Sequence, residues 1–162
     1  MYWIYASISS DLTELSKSLL TEISDPDNQY EVETNPHITL IPGFQTEHPI
    51  NIPKTLIGTE LAVKGFRFFE SEEFPLVVML EFEETDALNS LRNTLTYQIG
   101  ESNIEYPTHP FHATLFKAGD AAHMDSIMLE DELCEDVVQT VTNSEPPESV
   151  SITGITIGDW EA

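Results

Sequence analysis

Residues 1–8, MYWIYASI, are dominated by aromatic and β-branched side chains and predict a strand, with Trp3, Tyr5 and Ser7 on one face. Ser9, Ser10 and Asp11 then offer caps for a helix whose apolar stripe is Leu12, Leu15, Leu19, Leu20 and Ile23, and DPDN ends it. Residues 31–42 read as one strand, and 45–58 as a Pro-rich irregular stretch. ELAVKGFRFFE and FPLVVMLEFE predict two further strands. Thr85 and Asp86 cap a second helix that buries Leu88, Leu91, Leu95 and Ile99 and stops at Gly100. A loop leads to a strand beginning near residue 110. A third helix is expected near 131–142, broken by EPPE, and SVSITGITIGDW alternates as a final strand.

The order strand, capped helix, strand occurs twice, and the copies align at a fixed offset. Asp11 and Asp86, His37 and His112, Thr39 and Thr114, and Leu40 and Leu115 are each 75 residues apart. The predicted class is therefore α+β: a single domain over 1–162 with two pseudo-symmetric lobes, roughly 1–45 plus the C-terminal strand, and 60–118. Antiparallel-rich sheets would line a central cleft, with the helices outside.

Both histidines lie in an H-x-T pattern, PHITL and FHATL. Strand side chains alternate with period two, so His37 shares a face with Thr39, and His112 with Thr114. Lobes related by a twofold would turn both polar pairs into one cleft. Two imidazoles there suit metal-free phosphodiester chemistry, because one can act as base while the other acts as acid near neutrality. The threonine hydroxyls can hold non-bridging oxygens as charge builds.

These stretches resemble the paired H-Φ-(S/T)-Φ signatures of the 2H phosphoesterase superfamily, and the repeated element order extends the resemblance over nearly the whole chain. The resemblance implies a bilobal fold and substrates that are cyclic phosphates or 2′-linked phosphodiesters of nucleotides or RNA. It makes His37, Thr39, His112 and Thr114 the catalytic residues. The family includes RNA 2′,3′-cyclic phosphodiesterases, 2′-5′ RNA ligases, 2′-5′ oligoadenylate phosphodiesterases, and phage enzymes that destroy cyclic-oligonucleotide signals.

Charge narrows the substrate. The chain carries 29 acidic against 6 basic residues, a formal net charge of −23, as in proteins suited to high salt. Such a surface repels long nucleic acid at low ionic strength, so a small nucleotide or short oligonucleotide is expected. Substrate-binding candidates are Trp3 and Tyr5, either of which could stack a base, with Tyr106, Arg67 and Lys117. Strict alternation puts Lys117 on the face opposite His112 unless the strand bends at Ala118–Gly119. Phe66 and Phe68 suit either base stacking or ordinary packing, and packing is the expectation.

Cys134 is the single cysteine, and His48, His109 and His123 lack ligand spacing, so neither metal nor cofactor is expected. The N-terminus lacks a basic segment before its apolar stretch, and no apolar run reaches the roughly 20 residues that span a bilayer. The expectation is a monomer without membrane contact, acting in the cytoplasm, or in the host cytoplasm if viral. Two other readings remain open: an RNA 2′,3′-cyclic phosphodiesterase or 2′-5′ RNA ligase, and a nucleotide-binding module without turnover.

Overall fold

The computed structural model describes residues 1–9, 12–23, 30–69, 76–105, 110–118 and 130–159. The described elements are β1 (Tyr2–Ser9), α1 (Leu12–Glu22), β2 (Tyr30–Val32), β3 (His37–Phe44), β4 (Glu60–Phe69), β5 (Leu76–Phe82), α2 (Asp86–Ile99), β6 (His112–Ala118), α3 (Glu130–Thr142) and β7 (Ser149–Asp159). All strands join one seven-stranded sheet in the order β2-β6-β5-β4-β7-β1-β3. Every pairing is antiparallel, so the class is α+β, with three α-helices and a short 3-10 turn at Glu101–Asn103 among the described residues.

Local signals explain the helix ends. Thr85 accepts a hydrogen bond from the Leu88 N–H at 3.1 Å, closing the first turn of α2. Gly100 ends the helix at φ 91°, a conformation that favours glycine, with its N–H bonded to the Thr96 carbonyl at 2.8 Å. The caps expected at Ser10 and Asp11 lie outside the described residues.

The strand expected over 31–42 is in fact two. Tyr30–Val32 pairs with β6, whereas His37–Phe44 pairs with β1. Pro36, which lacks a backbone N–H, sits in the break, and the Glu33 carboxylate accepts from the Asn35 N–H at 3.2 Å to shape the turn.

Two long strands carry the sheet around. β4 pairs with β7 over Glu60–Ala62 and with β5 from Val63 onward, with a register break at Val63/Gly65. The bend brings β3 into contact with β6, although four strands separate them in the sheet order. One face of the sheet, with Ile4, Ala6, Ile38, Leu40, Val78, Leu80, Ala113 and Leu115, is buried in the hydrophobic core. The helices cover that side: α1 packs on β6 and β2, α2 on β3, and α3 on β4 and α1. Phe66 and Phe68 pack against this core, so the packing alternative holds for both.

A β-bulge follows the threonine of each H-x-T strand. Tyr5 is opposite Thr39 but Ile4 is opposite Ile41, leaving Leu40 as the extra residue. Met79 is opposite Thr114 but Val78 is opposite Phe116, leaving Leu115 as the extra residue. In both strands two consecutive apolar side chains then point inward. Leu40, Ile41, Leu115 and Phe116 are all buried.

The bulge corrects the expected placement of Lys117. Alternation restarts after Phe116, so Lys117 comes opposite Val77, on the same face of β5 as Met79 and Glu81, and thus returns to the side of His112 and Thr114.

Ser16 and Arg92 are the buried polar side chains among the described residues. The Arg92 guanidinium lies 3.7 Å from the Phe111 ring centroid, while its Nε and Nη2 have no hydrogen-bond partner. Burial pushes its pKa below the usual arginine value, against the pull of Glu84. Replacing buried ion pairs with apolar side chains of similar volume is commonly neutral or stabilising by about 1–4 kcal/mol, a guanidinium short of partners gains at least as much from replacement, and the lost cation–π contact offsets about 1–2 kcal/mol. Arg92→Met is therefore expected to raise Tm by a few degrees, at about 2–4 °C per kcal/mol. A lower Tm in a melting experiment would show that the guanidinium is satisfied.

Candidate active site

The polar face of the sheet, opposite the core, gathers most of the residues singled out in the sequence. On one side stand Trp3, Tyr5 and Ser7 of β1, with Ser7 opposite His37 and Tyr5 opposite Thr39. On the other, Glu81 is opposite His112, Met79 is opposite Thr114, and Arg67 of β4 is opposite Met79. Contact between β3 and β6 joins the two sides, and the His37 charge acts on His112. Arg67 thus reaches the histidine face, where its Nη1 lies 3.0 Å from Glu81 Oε1. Tyr106 lies outside the described residues, as do His109 and His123.

The two imidazoles are held in the same way. His37 Nδ1–H donates to the Asn35 carbonyl at 2.8 Å, and His112 Nδ1–H donates to the Pro110 carbonyl at 2.9 Å. A carbonyl only accepts, so in the neutral ring Nδ1 carries the proton and Nε2 carries the lone pair. Each ring is thereby oriented by its own strand entry, two residues back, through Nδ1.

Their surroundings differ. His112 is half-buried, and burial pushes its pKa below the ordinary histidine value; the Pro110 carbonyl bond opposes this, the charges of Arg67 and His37 reinforce it, and Glu81 opposes it. The partly buried Glu81 carboxylate is shared between Arg67 and the His112 neighbourhood. His37 stands instead against aromatic rings. Trp3 and Tyr5 stack with centroids 4.2 Å apart at 28°, and Trp3 meets the His37 ring edge-on at 4.9 Å and 77°. Gly158, opposite Trp3 on β7, makes room for this stack, because a Cβ there would lie 2.7 Å from Trp3 Nε1 and 3.2 Å from Tyr5 Cε1.

One hollow reaches His37, and a second lies beside Glu81 and Pro110, the neighbours of His112. One, of about 620 Å³, is lined by Trp3, Tyr5 and Ser7 and by the turn from Glu33 to His37. The other, of about 270 Å³, is lined by Lys64, Glu81 to Glu84, Pro110 and Phe111. The first falls within the range of small-molecule sites, about 300–1,000 Å³. A hollow of about 520 Å³ around Met1, Tyr2, Gln45 and His48 shares none of the H-x-T residues.

Glu81, Gly158 and the Glu33–Pro36 turn were not singled out from sequence. Glu81 carried a signal: it is the one charged residue in the otherwise apolar run LVVMLEF. Gly158 and the turn carried none that a linear pattern reveals. Among the described residues, no cluster of three or more His, Cys, Asp or Glu side chains could hold a metal ion, and no helix is long and apolar enough to cross a membrane.

No protein-family model matches the sequence, and no curated protein matches it. Among solved structures, the chain is similar to the protein TT0787 of Thermus thermophilus, with 15% identity and a TM-score of 0.49, over 97% of this chain and 87% of that one. A likeness of this degree carries no argument about activity.

Proposed function

We propose that this chain is a metal-independent phosphodiesterase of the 2H type, cleaving a cyclic or 2′-linked phosphodiester in a small nucleotide or short oligonucleotide. The observation that carries the reading is the pair of matched histidines: each is anchored through Nδ1 to the carbonyl two residues back, and each is followed by a threonine and a bulged leucine. The matched bulges, and the packing of each leading helix behind the other histidine strand, support a bilobal reading with an approximate twofold between β3 and β6.

Burial favours the neutral form of His112, which suits it to act as base. On a 2′,3′-cyclic phosphate, His112 Nε2 takes a proton from water as its oxygen attacks phosphorus. The bond from phosphorus to one ribose oxygen breaks, and protonated His37 gives its Nε2 proton to that oxygen. Thr39 and Thr114 hold the non-bridging oxygens. Trp3 and Tyr5 stack the base, and Arg67 and Lys117 lie on the face that the phosphate approaches. With 29 acidic and 6 basic residues, the protein takes a small nucleotide rather than long nucleic acid at low salt. The proposed enzyme is a monomer acting in the cytoplasm, or in the host cytoplasm if viral.

The test is incubation with 2′,3′-cyclic AMP and 2′-5′ oligoadenylate in the presence of EDTA. Product is expected in at least one case; loss of activity on chelation, with recovery on zinc or manganese, would overturn metal independence. The pH–rate profile should be a bell. Its acidic limb is the protonation of His112 and should fall below the ordinary histidine value of about 6.5, because burial lowers that pKa. An acidic limb above 7 would reject His112 as the base.

A further inference from the structure

Ser16 occupies a position where the helix pattern calls for an apolar residue. It lies between Leu12 and Leu19 on the buried line of α1 and is fully buried. The residue 75 positions on, in α2, is the buried Leu91. Alanine would serve a helix interior better than serine, and a core hydroxyl is costly unless bonded. A bond to its own helix, at 2.9 Å to the Leu12 carbonyl, would by itself satisfy the donor. The same single O–H is nevertheless shared with a second acceptor across the core, the Leu115 carbonyl, 3.1 Å away and 99 residues along the chain.

Leu115 is the bulged residue of β6, with no partner on β5. Its carbonyl accepts from the Glu33 N–H at 3.0 Å and from Ser16 Oγ, which engages both lone pairs. Where the extra residue sits decides which side chains face which way, because a one-residue slip turns every side chain to the opposite face. With the bulge at Leu115, Thr114 and His112 face the polar side. With the bulge between His112 and Thr114, the two would lie on opposite faces.

We infer that Ser16 is a positioning residue: its hydroxyl, bonded to the Leu115 carbonyl, pins the bulge of β6 and thereby aims His112 and Thr114. The kinetic part of this inference rests on the two-histidine reading above. The structural part does not.

The experiment compares wild type, Ser16→Ala and Ser16→Thr by imidazole NMR titration, and by steady-state hydrolysis of 2′,3′-cyclic AMP. In Ser16→Ala the His112 ring resonances and titration midpoint are expected to move, while those of His37 stay in place. The turnover number should drop about tenfold with KM within about twofold, as a misaimed group loses rate rather than binding. Ser16→Thr keeps the hydroxyl and should return both readouts toward wild type. A Ser16→Ala protein whose His112 titration matches wild type would overturn the inference, even with a lowered Tm. Equal displacement of both histidines would also overturn it, by making Ser16 a general packing residue. If the wild type turns over no nucleotide, the phosphodiesterase reading falls, and the NMR comparison alone decides the role of Ser16.

Discussion

His37→Ala and His112→Ala are each expected to reduce turnover by about 10²- to 10⁴-fold, the usual worth of a general acid or base, with folding intact. Neither ring belongs to the hydrophobic core. His37 meets Trp3 and Tyr5 only at ring edges, and those two rings stack on each other without it. His112 stands on the polar face beside Glu81, so its removal leaves the packed inner face of β6 unchanged. Melting curves of the variants should stay within a few degrees of wild type while the rate collapses. The asymmetric surroundings add a further expectation: His112→Ala should remove the acidic limb of the pH profile, and His37→Ala should leave it. A variant of either residue with near-full activity would end the two-histidine mechanism.

Raising potassium chloride from 0.1 M to 1 M or more is expected to raise Tm by several degrees. Six basic side chains can neutralise at most six of the 29 acidic charges, so the uncompensated carboxylates repel one another. Two ion pairs seen among the described residues leave this balance in place. Lys17–Glu14, at 3.7 Å, is exposed on both sides, and Arg67–Glu81 belongs to the candidate site. The Debye length shortens from about 10 Å at 0.1 M to about 3 Å at 1 M, less than most gaps between surface charges. About 2 kcal/mol of relieved repulsion corresponds to about 4–8 °C for a chain of this size. Nucleotide affinity should stay flat or improve over the same range, because global repulsion and local attraction weaken together. A Tm that falls with salt, alongside a steep loss of affinity, would mark the acidic surface as a binding surface.

Much of the fold was legible because it follows from local periodicity. The stripe of Leu88, Leu91, Leu95 and Ile99 between Thr85 and Gly100 specifies α2 on both ends. The alternation that placed His37 with Thr39 and His112 with Thr114 is likewise local. What alternation misses is the bulge. Leu40-Ile41 and Leu115-Phe116 are adjacent apolar pairs, and in each the second residue breaks the period; taking that break as a bulge would have placed Lys117 correctly. The split of 31–42 between opposite edges of the sheet depends on where β6 runs, which no nearby residue encodes. The meeting of β3 with β6, four strands apart in the sheet order, is a property of the whole sheet. The Glu81 partnership with Arg67 becomes visible once β4 and β5 are in register.

The interior position of β7 bears on biosynthesis. This strand joins β1 to β4, and it is the last described strand in chain order. In order of synthesis, β1 and β3 and the set β4, β5 and β6 all precede Ser149–Asp159, so the edges of β1 and β4 that pair with β7 have no native partner until it arrives. Those edges expose unpaired backbone groups throughout synthesis, the condition under which strands recruit one another between chains. The acidic side chains then act on the nascent protein as well as on the finished one: like charge keeps neighbouring half-sheets apart until the seam closes.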